Sequence, residues 1–562
     1  MFNFTKLMIT LALLLVTQLS SCKKKPTVDI NSLPVPGEKG SPEILPRPDP
    51  TPPGGDLPAK PQADIAAEEI HASVLAVLRS KHADAENKTW FDSHGLIEGD
   101  WIAQSPKNYW KKDASTLPAG YACVKGYAGC DPQFERMICT NDKDCVASRT
   151  QCLPLRASVH KEGDPVKSMC LGSGDTMLDD YYTAIVKAQR HLEISSLTFP
   201  NGRFRIALAN ALSVLSHRQT PPTIRMIVSS LDGFTANIKN PPGPVLETLL
   251  KEIAAVGGKP EALKINLAYL SDKRQSWNHA KIILADSNYV LQGGHNMLDP
   301  DYLKEQPIFD LSMHASGSVG LGVQAFVNTL WTKAGPMVST LENNGLISPP
   351  AVLDAKVGES RIIGMGRLGS FGDLASDDGM SALIDASKKT IYFAQQDLFN
   401  DIFKLGPTPS HSLPNLISAV LRGVKIKVAQ SSSTVFLGYG MVSPEKALEL
   451  LLDAMTAEAA ARKWVPEGNI PLREYLCSHI EYAPILFNAA VTKWPNGDAI
   501  GVHPKLIIAD EVAFYMGSQN FYPSDLQEFG LMVSDRKVTA ELMAAYWDRI
   551  WAESSQKKVP CK

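Results

Sequence analysis

A six-residue pattern occurs twice in the chain at one spacing, and no other feature restricts the possible folds as strongly. In NHAKIILADSNYVLQGGHN it comprises His279, Lys281, Asp286, Gly293, Gly294 and Asn296; in VHPKLIIADEVAFYMGSQN it comprises His503, Lys505, Asp510, Gly517, Ser518 and Asn520. Counted from each histidine, the offsets are +2, +7, +14, +15 and +17 in both copies. Side chains at i and i+2 of a β-strand share a face, so each histidine projects with its lysine, while Ile282, Leu284, Leu506 and Ile508 help to build a packed sheet. Asp286-Ser287-Asn288 and Asp510-Glu511 then turn the chain. The returning strands, Tyr289 to Leu291 and Val512 to Met516, bring the glycine pair and the asparagine back toward the histidine end.

The surroundings repeat as well. Leu178 to Phe199 reads as a helix that leads into an alternating, β-prone run, Leu192 to Leu197, and Met380 to Phe399 follows the same plan. Each copy is followed by a second helix and strand, Ile206 to Leu215 with Thr223 to Ser229, and Leu416 to Leu421 with Val424 to Ala429. Helices alternating with strands predict a layered α/β unit in each half. At 562 residues and 44% hydrophobic, the chain has room for both units and for further segments. The expected division is a signal peptide at 1–21, a Pro-rich tether at 22–62, a helix and disulfide-rich region at 63–174, a first half at 175–350 and a second at 351–562.

The doubled H-x-K-x4-D-x6-G-[GS]-x-N pattern resembles the phospholipase D superfamily over about residues 175 to 555. Within the superfamily, exported bacterial members such as the Yersinia murine toxin are the finer resemblance. Phe309-Asp310-Leu311 through Trp331, and Glu528-Phe529-Gly530-Leu531 through Trp551, are similar to the acidic residue and closing helix that follow each motif in that family. The resemblance implies two pseudo-twofold-related α/β/α sandwich halves, with His279 and His503 facing one phosphate. It also implies an enzyme, a phosphodiesterase that hydrolyses or transphosphatidylates phospholipids through a phosphohistidine, with His279 as nucleophile and His503 as acid and base. Lys281, Lys505, Asn296 and Asn520 would bind the nonbridging oxygens, and Asp310 and Glu528 would fix the imidazole tautomers, with no metal or other cofactor. Asp286 and Asp510, placed at turns, are given support roles. A lone histidine at a strand end is more often an ordinary half-buried one, and only the paired offsets overturn that reading. His295 and His314, without matching histidines in the second copy, are taken as structural.

Lys plus Arg total 56 against 59 for Asp plus Glu, a formal charge of -3, so the chain lacks the basic excess of a dedicated nucleic-acid binder. Near the motifs the cations are Lys273-Arg274 and scattered lysines, a poor track for a polyanion. Phospholipid is therefore the expected substrate, and a nuclease of the same superfamily is the first alternative. The second is a non-enzymatic surface-binding lipoprotein with a vestigial cleft. No apolar run reaches the 18 residues that a spanning helix needs. The start of the chain instead has a short apolar run, Leu7 to Val16, followed by Leu19-Ser20-Ser21-Cys22, which resembles a bacterial lipobox. Acylation of Cys22 would anchor the protein to a membrane, and the eleven prolines between Pro26 and Pro61 would form an extended tether. An exported lipoprotein of the cell envelope, at the outer membrane or cell surface and active as a monomer, is the expected form.

Setting Cys22 aside leaves Cys123, Cys130, Cys139, Cys145, Cys152, Cys170, Cys477 and Cys561, an even number that suggests disulfides in an exported chain. No Cys-x-x-Cys or Cys-x-x-His pair occurs in the 123–170 cluster, so zinc is the poorer reading there. Cys477 and Cys561 could pair with each other. Gly364-Met365-Gly366-Arg367-Leu368-Gly369 has the dinucleotide-loop form but lacks its context, and it reads as a loop connecting the halves. Ala454 to Lys463 reads as a solvated helix, inside an insertion from about Phe436 to Pro495 that could shape the cleft.

Overall fold

Two eight-stranded sheets carry the two copies of the motif, and seven strands of each correspond. In the first the spatial order is Met337–Ser339, Lys264–Tyr269, Thr223–Val228, His191–Ser196, Ile282–Ala285, Tyr289–Gly293, Asp310–Ala315 and Ile102–Ser105. In the second it is Ile480–Pro484, Lys425–Gln430, Thr390–Gln395, Lys505–Ala509, Ala513–Gly517, Gln527–Ser534, Ser360–Leu368 and Trp90–Gly95. His191–Ser196 pairs in parallel with Thr223–Val228, as Thr390–Gln395 does with Lys425–Gln430. The motif hairpins beside them are antiparallel. This computed structural model describes residues 62–107, 109–113, 123–124, 135–136, 139–147, 150–154, 168–172, 174–229, 242–270, 276–303, 306–349, 358–401, 406–432, 440–495 and 497–561. The expected signal peptide, the tether up to residue 61 and Cys22 lie outside them, as do Cys130, Lys273 and Arg274.

Strand alternation sends each motif strand into two cores. Ile282 and Leu284 join Leu506 and Ile508 in one core shared by both sheets, together with Phe326, Phe514, Phe529 and Trp547. The intervening Ile283 and Ala285 face the helices Asp175–Val186, Gly202–Ser216 and Pro242–Ala255. Ile507 and Ala509 likewise face Ala375–Ala386, Leu413–Leu421 and Pro444–Ala461. Each half is thus a sheet covered by helices on its outer side, with its inner side turned to the common core. Both faces of the motif strands are apolar because both are packed.

Within the expected 63–174 region, residues 90–95 and 102–105 are strands of the two large sheets, while the described part of 123–171 forms short strand pairs of its own. Trp90–Gly95 extends the second sheet and Ile102–Ser105 the first, so this short span ties the halves together before the repeat begins. The helix Gln62–Lys81 packs against Ala375–Ala386, burying Ile70, Val74, Leu75 and Leu78. The Gly364–Gly369 stretch is also not a connecting loop: Ser360–Leu368 is a strand of the second sheet, between Gln527–Ser534 and the edge strand Trp90–Gly95. Its glycines are needed for close approach. A Cβ on Gly364 would lie 2.1 Å from the Phe91 ring, and one on Gly366 would lie 2.3 Å from that of Phe326. Nor is Ala454 to Lys463 wholly solvated, because Met455 and Ala459 continue the buried stripe Leu448, Leu451, Leu452 of Pro444–Ala461.

Three disulfides are formed among the described residues: Cys139–Cys152, Cys145–Cys170 and Cys477–Cys561. The sulfurs of Cys139, Cys145 and Cys152 lie within 4.8 Å of one another, but all three are consumed by these bonds. Among the described residues no helix is long and apolar enough to cross a membrane.

Candidate active site

Each motif begins just ahead of its strand, at His279 before Ile282–Ala285 and at His503 before Lys505–Ala509, where the chain crosses to the other half. The His279 backbone N–H donates to Gln527 O at 2.8 Å, and the His503 N–H donates to Phe309 O at 2.7 Å. Short bridges at Asn278 with Gln527 and at Phe309 with Val502 flank these bonds. The two imidazoles consequently meet across the pseudo-twofold axis, their ring centroids 6.5 Å apart and their planes at 79°.

The carboxylates are exchanged between halves. His279 Nδ1 donates to Glu528 Oε2 of the second half at 2.8 Å, and His503 Nδ1 donates to Asp310 Oδ2 of the first at 2.7 Å. A carboxylate only accepts, so both bonds place the proton on Nδ1 and make Nε2 the basic nitrogen. Gly294 and Ser518, equivalent in the motif, serve the two acids differently. A Cβ on Gly294 would lie 2.1 Å from Asp310 Oδ1, whereas the Ser518 hydroxyl donates to Glu528. Asp310 is held further by the Tyr302 hydroxyl at 2.7 Å and by the Leu311 N–H at 2.8 Å.

Lys281 donates to the His279 carbonyl at 2.7 Å, and Lys505 donates to the His503 carbonyl. All four side chains are buried. Burial, reinforced by the neighbouring lysines, pushes His279 down to about 4 against the pull of Glu528. Burial and the lysines also push His503 well below the usual histidine value. Burial brings Lys281 down to about 8 despite Glu528 and Asp310, and it depresses Lys505 strongly. The resting site thus favours neutral imidazoles, and an anion bound among the lysines would restore their proton affinity. Asn296 and Asn520 are buried, and each has a side-chain oxygen with no hydrogen-bond partner, a polar group that a bound ligand would satisfy.

Asp286 and Asp510 stand away from the imidazoles, at the far ends of the motif strands. Asp286 accepts the backbone N–H groups of Gln189, Arg190 and His191; Asp510 accepts those of Lys388, Lys389 and Thr390. Each pins the motif hairpin to the start of the neighbouring strand while sitting at positive φ, 56° and 52° respectively. His314 bonds the Tyr289 hydroxyl at 2.6 Å and lies 3.4 Å from Asp180, within the first half. His295 is closer to the chemistry: its Nδ1 meets Ser312 Oγ at 2.8 Å and its ring packs on Tyr302 at 5.1 Å.

These elements carry a mirrored arrangement, and a sequence relation matches it. An alignment of 440 residues, 24% identical, relates the chain to the phospholipase D of Streptomyces antibioticus, covering 68% of this chain and 77% of that protein. This relation supports the phospholipase D superfamily. No family model matches it. Among solved structures, the phosphatidylserine synthase of Haemophilus influenzae Rd KW20 aligns with a TM-score of 0.44 and 11% identity, over 68% of this chain and 85% of that one. The phospholipase D family member Nuc of Salmonella typhimurium aligns with a TM-score of 0.22 and 16% identity, over 34% and 96%. The likeness rests on the doubled motif and the sequence relation.

Two residues beside this superfamily site were missed from sequence. Tyr302 holds Asp310, and Arg367 approaches Glu528 Oε1 at 3.5 Å. Neither belongs to the motif, and only strand register brings Arg367 to the acid. A concavity of about 1140 Å³ opens elsewhere, lined by His82, Lys88, Asn328, Lys333 and Asp373, and it contains none of the motif residues.

Proposed function

We propose that the chain is a phospholipase D-type phosphodiesterase that cleaves phospholipids and passes the phosphatidyl group to water or an alcohol through a phosphohistidine. The observation that carries this reading is the facing imidazole pair, 6.5 Å between centroids, with each Nδ1 held by a carboxylate of the opposite half. One Nε2 can attack phosphorus while the other protonates the departing alkoxide. We assign the attack to His279: the P–O bond to the leaving group breaks as the P–N bond forms, and His503 supplies the proton. His503 then takes a proton from water or alcohol, whose oxygen displaces His279 and releases the product. Lys281 and Lys505 offset the charge on the nonbridging oxygens, and the Asn296 and Asn520 amides complete the ring of polar groups.

Phospholipid as the substrate is supported by the relation to a protein named phospholipase D. Export and membrane attachment are further proposals, resting on Leu19-Ser20-Ser21-Cys22 and the proline-rich segment after it. The test offers the full protein, purified in detergent, phospholipid mixed micelles and single-stranded DNA side by side, with and without EDTA. Headgroup release that survives EDTA, with DNA left intact, is expected; DNA cleavage without headgroup release would replace the reading with a nuclease. Cys22→Ser should abolish lipid labelling and release the protein from membranes, and unchanged membrane attachment of this variant would defeat the anchor.

A further inference from the structure

The two acids that orient the histidines do not have equivalent neighbours. In the second sheet, Arg367 is the register partner of Glu528; in the first, the residue opposite Asp310 is Ser105. Directly opposed residues in a sheet project to the same face, and in the second sheet the side chain at this position reaches its acid, whereas the Ser105 hydroxyl has no hydrogen-bond partner among the described residues. At one acid it is a guanidinium, and at the other a hydroxyl.

Arg367 is buried and fixed on every side. Its Nε donates to Leu526 O at 3.1 Å, Nη1 to Asp377 Oδ1 at 3.2 Å and Nη2 to Ser524 Oγ at 2.8 Å. Asp377 is itself held by Gln519 Nε2 at 2.8 Å, and Gln519 stands in the second motif between Ser518 and Asn520. From this frame Nη2 lies 3.5 Å from Glu528 Oε1, an oxygen with no hydrogen-bond partner, while Oε2 receives His279 and Ser518. The other charged and titratable groups around the pair are Lys281, Lys505, His503, Asp377, Tyr515 and Tyr522.

We infer that Arg367 is a positioning residue: its guanidinium holds Glu528 ionised and oriented, and so fixes His279, and not His503, in the form that attacks phosphorus. The inference rests on the phosphodiesterase reading for its catalytic meaning, although its electrostatic part stands without turnover. Burial would raise the Glu528 carboxyl, but His279, Arg367 and Lys281 outweigh burial and leave it lowered. Removing one positive charge from this set must raise the proton affinity of the His279–Glu528 pair, whichever member carries the proton.

The test compares Arg367→Met and Arg367→Lys with the parent, following kcat/KM and kcat against pH on a p-nitrophenyl phosphodiester. His279 is titrated in parallel by NMR on 15N-histidine-labelled protein, with His279→Asn identifying the signal. For Arg367→Met we expect the acid limb of kcat/KM and the His279 titration to move up by about 1 pH unit or more. We expect kcat to fall on the order of 10- to 100-fold, the range for loss of an outer-shell partner, with little change in KM. Arg367→Lys keeps the charge but loses the planar fork, so the acid limb should stay and kcat should fall less. An Arg367→Met protein with parental titration and parental kcat would overturn the inference. If that variant does not fold, Arg367→Lys decides: an unmoved acid limb with lowered kcat supports it, and a parental kcat overturns it. A parent inactive on every phosphodiester would refute the proposed function, and the His279 titration would then still decide the electrostatic claim.

Discussion

The exchange of carboxylates makes a prediction that separates the two histidines. Asp310 Oδ1 accepts the Leu311 N–H, and Oδ2 accepts both His503 Nδ1 and the Tyr302 hydroxyl. In Asp310→Asn the side-chain oxygen stays with Leu311, so the amide nitrogen takes the Oδ2 place and confronts two donors. His503 can answer only by moving its proton to Nε2, which removes the base that activates water. Loss of the correct tautomer in a comparable triad costs about 10⁴ in kcat, or about 5.5 kcal/mol at 1.36 per decade, and we expect a loss of about 10³ to 10⁴ here. The step affected depends on the substrate. With a p-nitrophenyl phosphodiester the leaving group needs no proton, so His279 should still attack and only the second step should stall. The assay is rapid-quench release of p-nitrophenolate. Asp310→Asn should give a burst near one equivalent and accumulate an acid-labile, base-stable phosphoenzyme, whereas Glu528→Gln, which disturbs His279, should give neither. A burst in Glu528→Gln and none in Asp310→Asn would reverse the roles of the histidines. Parental turnover in both variants would refute the exchange of carboxylates as a catalytic device.

Three further outcomes follow from particular contacts. Burial puts Lys281 near 8, and a lysine loses its charge above its own value, so kcat/KM should decline above about pH 8 while kcat at saturating substrate holds to higher pH; a kcat/KM flat to pH 10 would contradict this. Asp510→Ala strands three backbone N–H groups and puts alanine at φ 52°, which should cost about 2 to 3 kcal/mol in urea unfolding while the folded fraction keeps near-parental activity. The Cys477–Cys561 bond closes a span of 84 residues, so replacing both by serine should cost about 4 to 5 kcal/mol by loop entropy, and an unchanged unfolding midpoint would show that the bond adds nothing.

Much of the site was legible because the chain states it twice. One histidine with a lysine two residues on is common, but the matched offsets of His279 and His503 fixed the strand, the hairpin and the returning asparagine before any contact was known. Ile282, Leu284, Leu506 and Ile508 were readable as sheet-building residues, and the structure adds that Ile283, Ala285, Ile507 and Ala509 pack on the opposite face. Long-range register was not legible. Ile102–Ser105 and Trp90–Gly95 join sheets whose other strands begin about a hundred or more residues later, and nothing local announces the pairing. The same limit hid Arg367, which the glycines around it disguised as a loop: they are there because Phe91 and Phe326 press on the strand, a tertiary cause. Tyr302 gave no signal either, since its partner Asp310 is set by packing and not by motif spacing.

The departures from symmetry fall where the chemistry requires them. In the proposed reaction two imidazoles share one phosphate and take opposite parts, one attacking as a neutral base and the other entering as an acid, so identical surroundings would be wrong for one of them. The backbone keeps the pseudo-twofold relation closely, with matching bonds from His279 to Gln527 and from His503 to Phe309. The substitutions cluster at and around the carboxylates: aspartate against glutamate, Gly294 against Ser518, Ser105 against Arg367 in the opposed strand, and His295 against Gln519 one residue further along the motif. The last pair shows the logic most clearly. Gln519 braces Asp377, which in turn braces Arg367 beside Glu528, while His295 takes no part in such a chain and bonds Ser312 next to Asp310. A duplicated fold supplies two equivalent histidines; the residues behind their acids make them different, and it is there that substitutions should alter the division of labour without dismantling the site.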